Sequence, residues 1–164
     1  MPVNYNNSKH AILIMAHNQF EILEKLMMQL DHQRNDLYIH VDRKSHGFKK
    51  SRFEHICKKS KVRFIPRMSV HWGDSSQTEC ELQLIEAALN TGEEYLYLHL
   101  LSGCDLQIKQ TQQIHDFFDK HPENQFIAFR NTISGLSGIQ RYYFFLPLRS
   151  YNKYIGKVLI WYQQ

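Results

Sequence analysis

The 164-residue chain holds only 7 glycines and 4 prolines, and none of them builds a recognisable nucleotide loop. There is no Gly-x-Gly-x-x-Gly and no Walker sequence, which disfavours dinucleotide cofactors and ATP hydrolysis. Ser102 lacks the Gly-x-Ser-x-Gly context of a nucleophile elbow, which argues against a hydrolase. Three cysteines, Cys57, Cys80 and Cys104, are an odd count without metal-like spacing, so neither a disulfide framework nor a zinc ribbon is expected. No apolar run reaches the length needed to span a bilayer, and Met1–Lys9 shows no signal-peptide layout. These absences predict a protein with reduced thiols, cytoplasmic and at most peripheral at a membrane.

What is present suits one domain with a real core: 43% of residues are hydrophobic, and residues 1–9 read as a loose leader to a single domain spanning 1–164. The net charge of +4 is mild. Lysines and arginines gather between Arg43 and Arg63, mostly as a solvated face, with room for an anionic partner. Basic and aromatic residues are not interleaved as a single-stranded nucleic acid platform requires, so no nucleic-acid partner is expected.

Three apolar runs end on small or polar groups. His10–Ala16 ends at His17, Asp36–Val41 ends at Asp42, and Tyr95–Leu101 ends at Ser102-Gly103-Cys104-Asp105. Alternating with helical patterns, they predict an α/β fold with a mostly parallel sheet covered on both faces. Asn18 with Glu21, and Ser76 with Glu79, have capping-box spacing. Phe20, Leu23, Met27 and Leu30 form one expected helix stripe, and Leu82, Ile85 and Leu89 another. Further helices are expected over 48–57, with Phe53 and Ile56 inward, and over 111–120, burying Ile114, Phe117 and Phe118. Short strands are expected at 62–65 and 125–130. Beyond these lie a Ser/Gly-rich stretch, the aromatic run Tyr142–Leu146, and an apolar end near Trp161 that leaves the sheet looking unfinished.

In open parallel sheets, ligands bind beyond the carboxyl ends of strands. Ser102, Gly103 and Asp105 are therefore candidates, although Ser and Asp also serve ordinary turns. Ten histidines invite a metal reading. His40 and Asp42 share a strand face, and His71 and His99 are available to converge on them. Without a His-Glu-x-x-His pair, however, no metal site is expected. The strand-end groups suit a nucleotide-sugar. Asp42 can accept hydrogen bonds from uracil or ribose, Ala16 and Gly73 allow close approach to backbone, and Trp72 can line the pocket. No Asp-x-Asp is present to hold a divalent ion on a diphosphate.

Four ordered segments resemble the core-2/I-branching glycosyltransferase family, which includes peptide O-xylosyltransferases: Ala11–His17, Tyr38–Asp42 with Lys44-Ser45, Val70–Gly73, and His99–Leu106 with Ile108-Lys109. Tyr142–Phe145 is a weaker fifth match. The resemblance implies a GT-A-type fold and an inverting, metal-independent transfer of a sugar, most often N-acetylglucosamine, from a UDP-sugar to a glycan hydroxyl, with no cofactor. It places Ala16, His17 and Asp42 at the uridine, His71, Trp72 and Gly73 along the donor pocket, and Ser102, Gly103 and Asp105 near the donor sugar. Two departures stand out. Gln107 occupies a position where the family commonly has proline, and the family's later Gly-Ser segment, general-base glutamate and diphosphate-facing basic residues have no match before Gln164. The expectation is thus a donor-binding portion whose base lies beyond Gln164, or is supplied by another chain. The alternative is a non-catalytic nucleotide-sugar-binding or interaction module.

Overall fold

A computed structural model describes residues 8–126. Four strands, β1 (Lys9–Ala16), β2 (Asn35–Val41), β3 (Lys61–Phe64) and β4 (Tyr95–Ser102), pair in parallel in the order β3-β2-β1-β4. Three helices accompany them: α1 (Phe20–Leu30), α2 (Ser75–Leu89) and α3 (Thr111–Asp119). This is the expected Rossmann-like α/β arrangement, in keeping with a GT-A-type fold.

The pleat sorts β1 onto two cores. Ile12, Ile14 and Ala16 face α1, packing with Leu23, Leu26, Met27, Leu37 and Ile39. Ala11 and Leu13 face the other way, onto Cys80, Leu84 and Ala88 of α2 and onto Tyr38. Every residue of β2 is buried, as a strand covered on both faces requires. The chain leaves β1 toward β2 and β3, then returns to place β4 on the other flank of β1. That reversal creates a topological switch point at the carboxyl edge.

Several expected details differ. The capping boxes of α1 and α2 do not form. Gln19 precedes α1 in a left-handed conformation (φ 50°), and neither helix has a side-chain cap at its first residue. The buried stripe of α2 is Ser76, Cys80, Leu84 and Ala88, whereas Leu82 and Leu89 are 59% and 62% exposed. Small residues four apart let the helix approach the sheet closely, and the leucines fall on its outer side. The 48–57 segment is a single 3-10 turn, Lys50–Arg52, rather than an α-helix. Phe48 and Phe53 are five apart, a spacing that an α-helix would splay. The turn instead brings both rings onto Phe20 and Phe64.

β4 is less buried than its composition suggests: Leu98 and Leu100 are 39% and 45% exposed. Among the described strands β1 and β2 have neighbours on both sides, whereas β4 is at an edge. A bulge places Leu96 between the pairs Lys9–Tyr95 and His10–Tyr97. The expected strand over 125–130 and the aromatic segments after it lie outside the described residues, apart from Gln125 and Phe126, which are not in a strand.

α3 buries His115 rather than its phenylalanines, and Phe117 stays 47% exposed. His115 sits against His10 and His32, with ring centroids 4.4 and 4.8 Å apart. His10 Nδ1 and His99 Nε2 are hydrogen-bonded at 3.0 Å. An adjacent cavity of about 330 Å³ is lined by Leu26, Leu30, Ile114, His10, His99 and His115. Burial pushes the His10 imidazole down to about 3, and His99 and His115 to about 4, with neighbouring histidines and Arg34 reinforcing the effect at His10 and His115. These side chains are neutral core residues at neutral pH. Beside them Arg34 makes a bidentate pair with Asp119 at 2.6 and 2.8 Å, joining β2's approach to α3.

Candidate functional site

Two loops that leave the carboxyl edge of the sheet, one after β2 and one after β4, are tied to the end of β1. Asp42 N–H donates to Ala16 O at 2.8 Å, and Gly103 N–H donates to Met15 O at 2.8 Å. Ser45 Oγ donates to His17 O at 2.5 Å. Asp42 and Asp105 therefore stand on the same edge of the sheet, on opposite flanks of β1.

Gly103 is needed for this closeness. A Cβ built there would lie 2.6 Å from Ala16 Cβ and 3.0 Å from Ala16 Cα. Ala16 is itself buried at 3% exposure. Its small side chain leaves just enough room for Gly103. His17 is exposed at the start of the next loop.

Asp42 is 7% exposed. Its Oδ1 accepts Lys44 N–H at 2.8 Å, an Asx-type turn, while Oδ2 lies 3.6 Å from Lys44 Nζ. Lys44 Nζ also donates to Val70 O at 2.5 Å and lies 3.5 Å from His71 Nδ1. This ammonium joins the second and third candidate segments. In the third, His71 N–H donates to Ser76 Oγ at 2.8 Å and Gly73 N–H to Gln77 Oε1 at 2.6 Å, fixing the loop onto the first turns of α2. Gly73 has φ 71°, a conformation that favours glycine. Trp72 is left 90% exposed.

On the other flank, Asp105 Oδ2 accepts Ser102 N–H at 2.8 Å and Cys104 N–H donates to Ser102 Oγ at 3.3 Å. Ser102 and Asp105 both remain exposed. The loop is a tight turn that presents polar side chains beyond β4.

The metal constellation considered from sequence does not assemble. His40 Nε2 accepts Met68 N–H at 3.0 Å, whereas His99 is engaged with His10 on the α3 side of the sheet. Among the described residues no group of three or more His, Cys, Asp or Glu side chains is arranged to hold a metal ion. Burial raises the thiol of Cys57 to about 12 and that of Cys80 to about 11, so neither is a nucleophile at neutral pH.

Sequence reasoning missed Arg67 and undervalued Lys44 and Ser45. Arg67 donates to Val41 O at 3.1 Å, and its Nη2 donates to Asp42 O, Arg43 O and Ser45 O at 2.6, 3.2 and 3.0 Å. All four acceptors are main-chain carbonyls, which no side-chain motif records.

Among the described residues no helix is long and apolar enough to cross a membrane. A search of curated proteins finds no match to this chain. The family model for Core-2/I-branching enzymes matches residues 11–152, which takes in every segment described above. The chain belongs to that family.

Proposed function

With membership of a glycosyltransferase family as premise, we propose that the carboxyl edge of the sheet binds a UDP-sugar. Transfer of the sugar, N-acetylglucosamine in the first instance, then proceeds with inversion to a glycan hydroxyl and without a divalent metal. The observation that carries this reading is the tethering of the polar loops after β2 and β4 to the end of β1 at the topological switch point. Asp42 accepts from the uracil or ribose, with Ala16 and His17 beside it. His71, Trp72 and Gly73 line the donor, and Ser102, Gly103 and Asp105 face its sugar. A carboxylate base would deprotonate the acceptor hydroxyl while cationic groups stabilise the departing UDP. Lys44, 45% exposed at its side chain, is the cation paired with the Asp42 carboxylate.

A second reading, nucleotide-sugar binding without transfer, is favoured by one observation. Asp42 and Asp105 each already accept a hydrogen bond from their own loop, so neither is held free as a base. Titration with UDP and UDP-N-acetylglucosamine, in the presence and absence of EDTA, followed by an assay for transfer to a glycan acceptor, separates the two. EDTA-insensitive binding with turnover supports the transferase, binding without turnover supports the module, and absence of binding removes the donor site.

A further inference from the structure

We propose that Arg67 is a positioning residue for the donor, a role that rests on the UDP-binding reading above. The segment after β2 makes a sharp exit: Val41 ends the strand, Asp42 faces the candidate site, and Ser45 reaches back to His17. Such a loop leaves main-chain carbonyls without strand partners. Arg67 reaches the carbonyls of Asp42, Arg43 and Ser45, and that of Val41 at the strand end, with Nη2 shared among the three loop oxygens. Asp42 O also accepts Ser45 N–H at 3.0 Å, and the Arg67 guanidinium lies over the Phe48 ring at 5.5 Å. The neighbouring segment adds two bonds: Arg43 N–H donates to Met68 O at 2.9 Å, and Met68 N–H donates to His40 Nε2 at 3.0 Å. The Asp42 loop is thus held from behind by the 67–68 segment, and from the front by Lys44 on Val70.

Arg67 is suited to this by shape. A planar guanidinium presents several donors in a fixed fork, whereas an ammonium is a point charge with three rotatable donors. Arg67→Lys therefore keeps the charge but does not span Val41, Asp42, Arg43 and Ser45 together. Arg67 is itself exposed, so its replacement leaves both cores intact.

A ligand's apparent dissociation constant rises in inverse proportion to the fraction of protein in the competent conformation. If loss of the clamp leaves the Asp42 loop in shape about one-tenth of the time, UDP affinity falls about tenfold. The test is calorimetric titration of the full chain with UDP for wild type, Arg67→Lys and Arg67→Gln, with thermal melts and amide hydrogen exchange at Lys44 and Ser45. The expected result is a similar loss of affinity in both variants at temperatures where each remains folded, with faster exchange at the two amides. Retention of wild-type affinity in folded Arg67→Lys makes charge alone sufficient and overturns the positioning role. Wild-type affinity in both folded variants overturns it equally. A wild-type chain that binds no UDP overturns the donor-site reading and this role with it, so the two failures are told apart by the wild-type titration.

Discussion

Acidification should unfold this protein through its histidine core. His10 and His115 are each 1% exposed and His99 is hydrogen-bonded to His10. Their imidazoles are pushed down to about 3, 4 and 4, while an unfolded chain titrates near 6.5. Between those limits the unfolded state binds more protons than the folded one, so stability rises with pH and is lost as pH falls through the mid-sixes. At pH 5 the folded histidines are still neutral, which makes the loss insensitive to their mutual coupling. It equals the unfolded state's proton uptake, about 2 kcal/mol for each imidazole and about 6 kcal/mol for the three together. His32 and His40 are also pushed down by burial and act in the same direction.

A loss of that size is comparable with the whole stability of a typical domain, about 5–15 kcal/mol. Urea denaturation of the full chain, followed by circular dichroism at half-unit steps from pH 8 to pH 5, measures it directly. Stability should be level above pH 7 and then fall steeply, well before carboxylates titrate. Arg34, Asp119 and His32 face this cluster, and the Asp119 carboxyl is held below its usual range by Arg34, so that pair weakens only at lower pH. His115→Leu should remove about one-third of the slope, because one of three uptake sites is gone. A stability that changes by less than about 1 kcal/mol between pH 7.5 and 5 would refute the neutral-core reasoning.

Asp42→Asn should weaken UDP binding by about 1–3 kcal/mol, as for hydrogen bonds to charged groups, while calorimetric melts change little; equal affinity with a lower melting temperature would remove Asp42 from the donor site. Gly103→Ala should destabilise by about 1–3 kcal/mol because its Cβ would sit 2.6 Å from Ala16 Cβ, and chemical denaturation reads the cost. Asp119→Ala should be more severe, about 3–5 kcal/mol, since it takes the bidentate carboxylate from Arg34, whose side chain is only 7% exposed. Tyr95→Phe should cost about 1 kcal/mol or somewhat more by taking the 2.8 Å hydrogen bond from the buried Asp36 carboxylate, measurable in the same urea experiment.

The strands were legible because parallel pairing buries both faces, and β1 from Ala11 to Ala16 and most of β2 from Leu37 to Val41 are therefore rich in apolar residues. Helix interiors were less legible. In α2 the sequence offers leucines on one side and the small residues Ser76, Cys80 and Ala88 with Leu84 on the other. Hydrophobicity points to the leucines, but close packing on a sheet selects the small side. In α3 a histidine occupies the buried position because three partners on β1, β4 and the α1–β2 connection make a neutral imidazole layer there, information that lies far away in sequence. The Phe48–Phe53 turn shows the converse: tertiary packing of two rings outweighed a weak helical pattern.

At the carboxyl edge, the same residues looked like turn formers and like ligand-binding groups, and the geometry shows why these were not competing descriptions. Asp42 Oδ1 is spent on Lys44 N–H, and Oδ2 lies 3.6 Å from Lys44 Nζ. An ionised carboxylate offers about four acceptor positions, so holding its own turn leaves capacity for a donor group on a bound molecule. The turn bond fixes the side chain that would do the binding, and Arg67 fixes the backbone beneath it. Asparagine at position 42 retains an oxygen for Lys44 N–H and gives up only the charge facing Lys44 and the site. That substitution therefore separates the two roles of one side chain, where removal of the whole group would confound them.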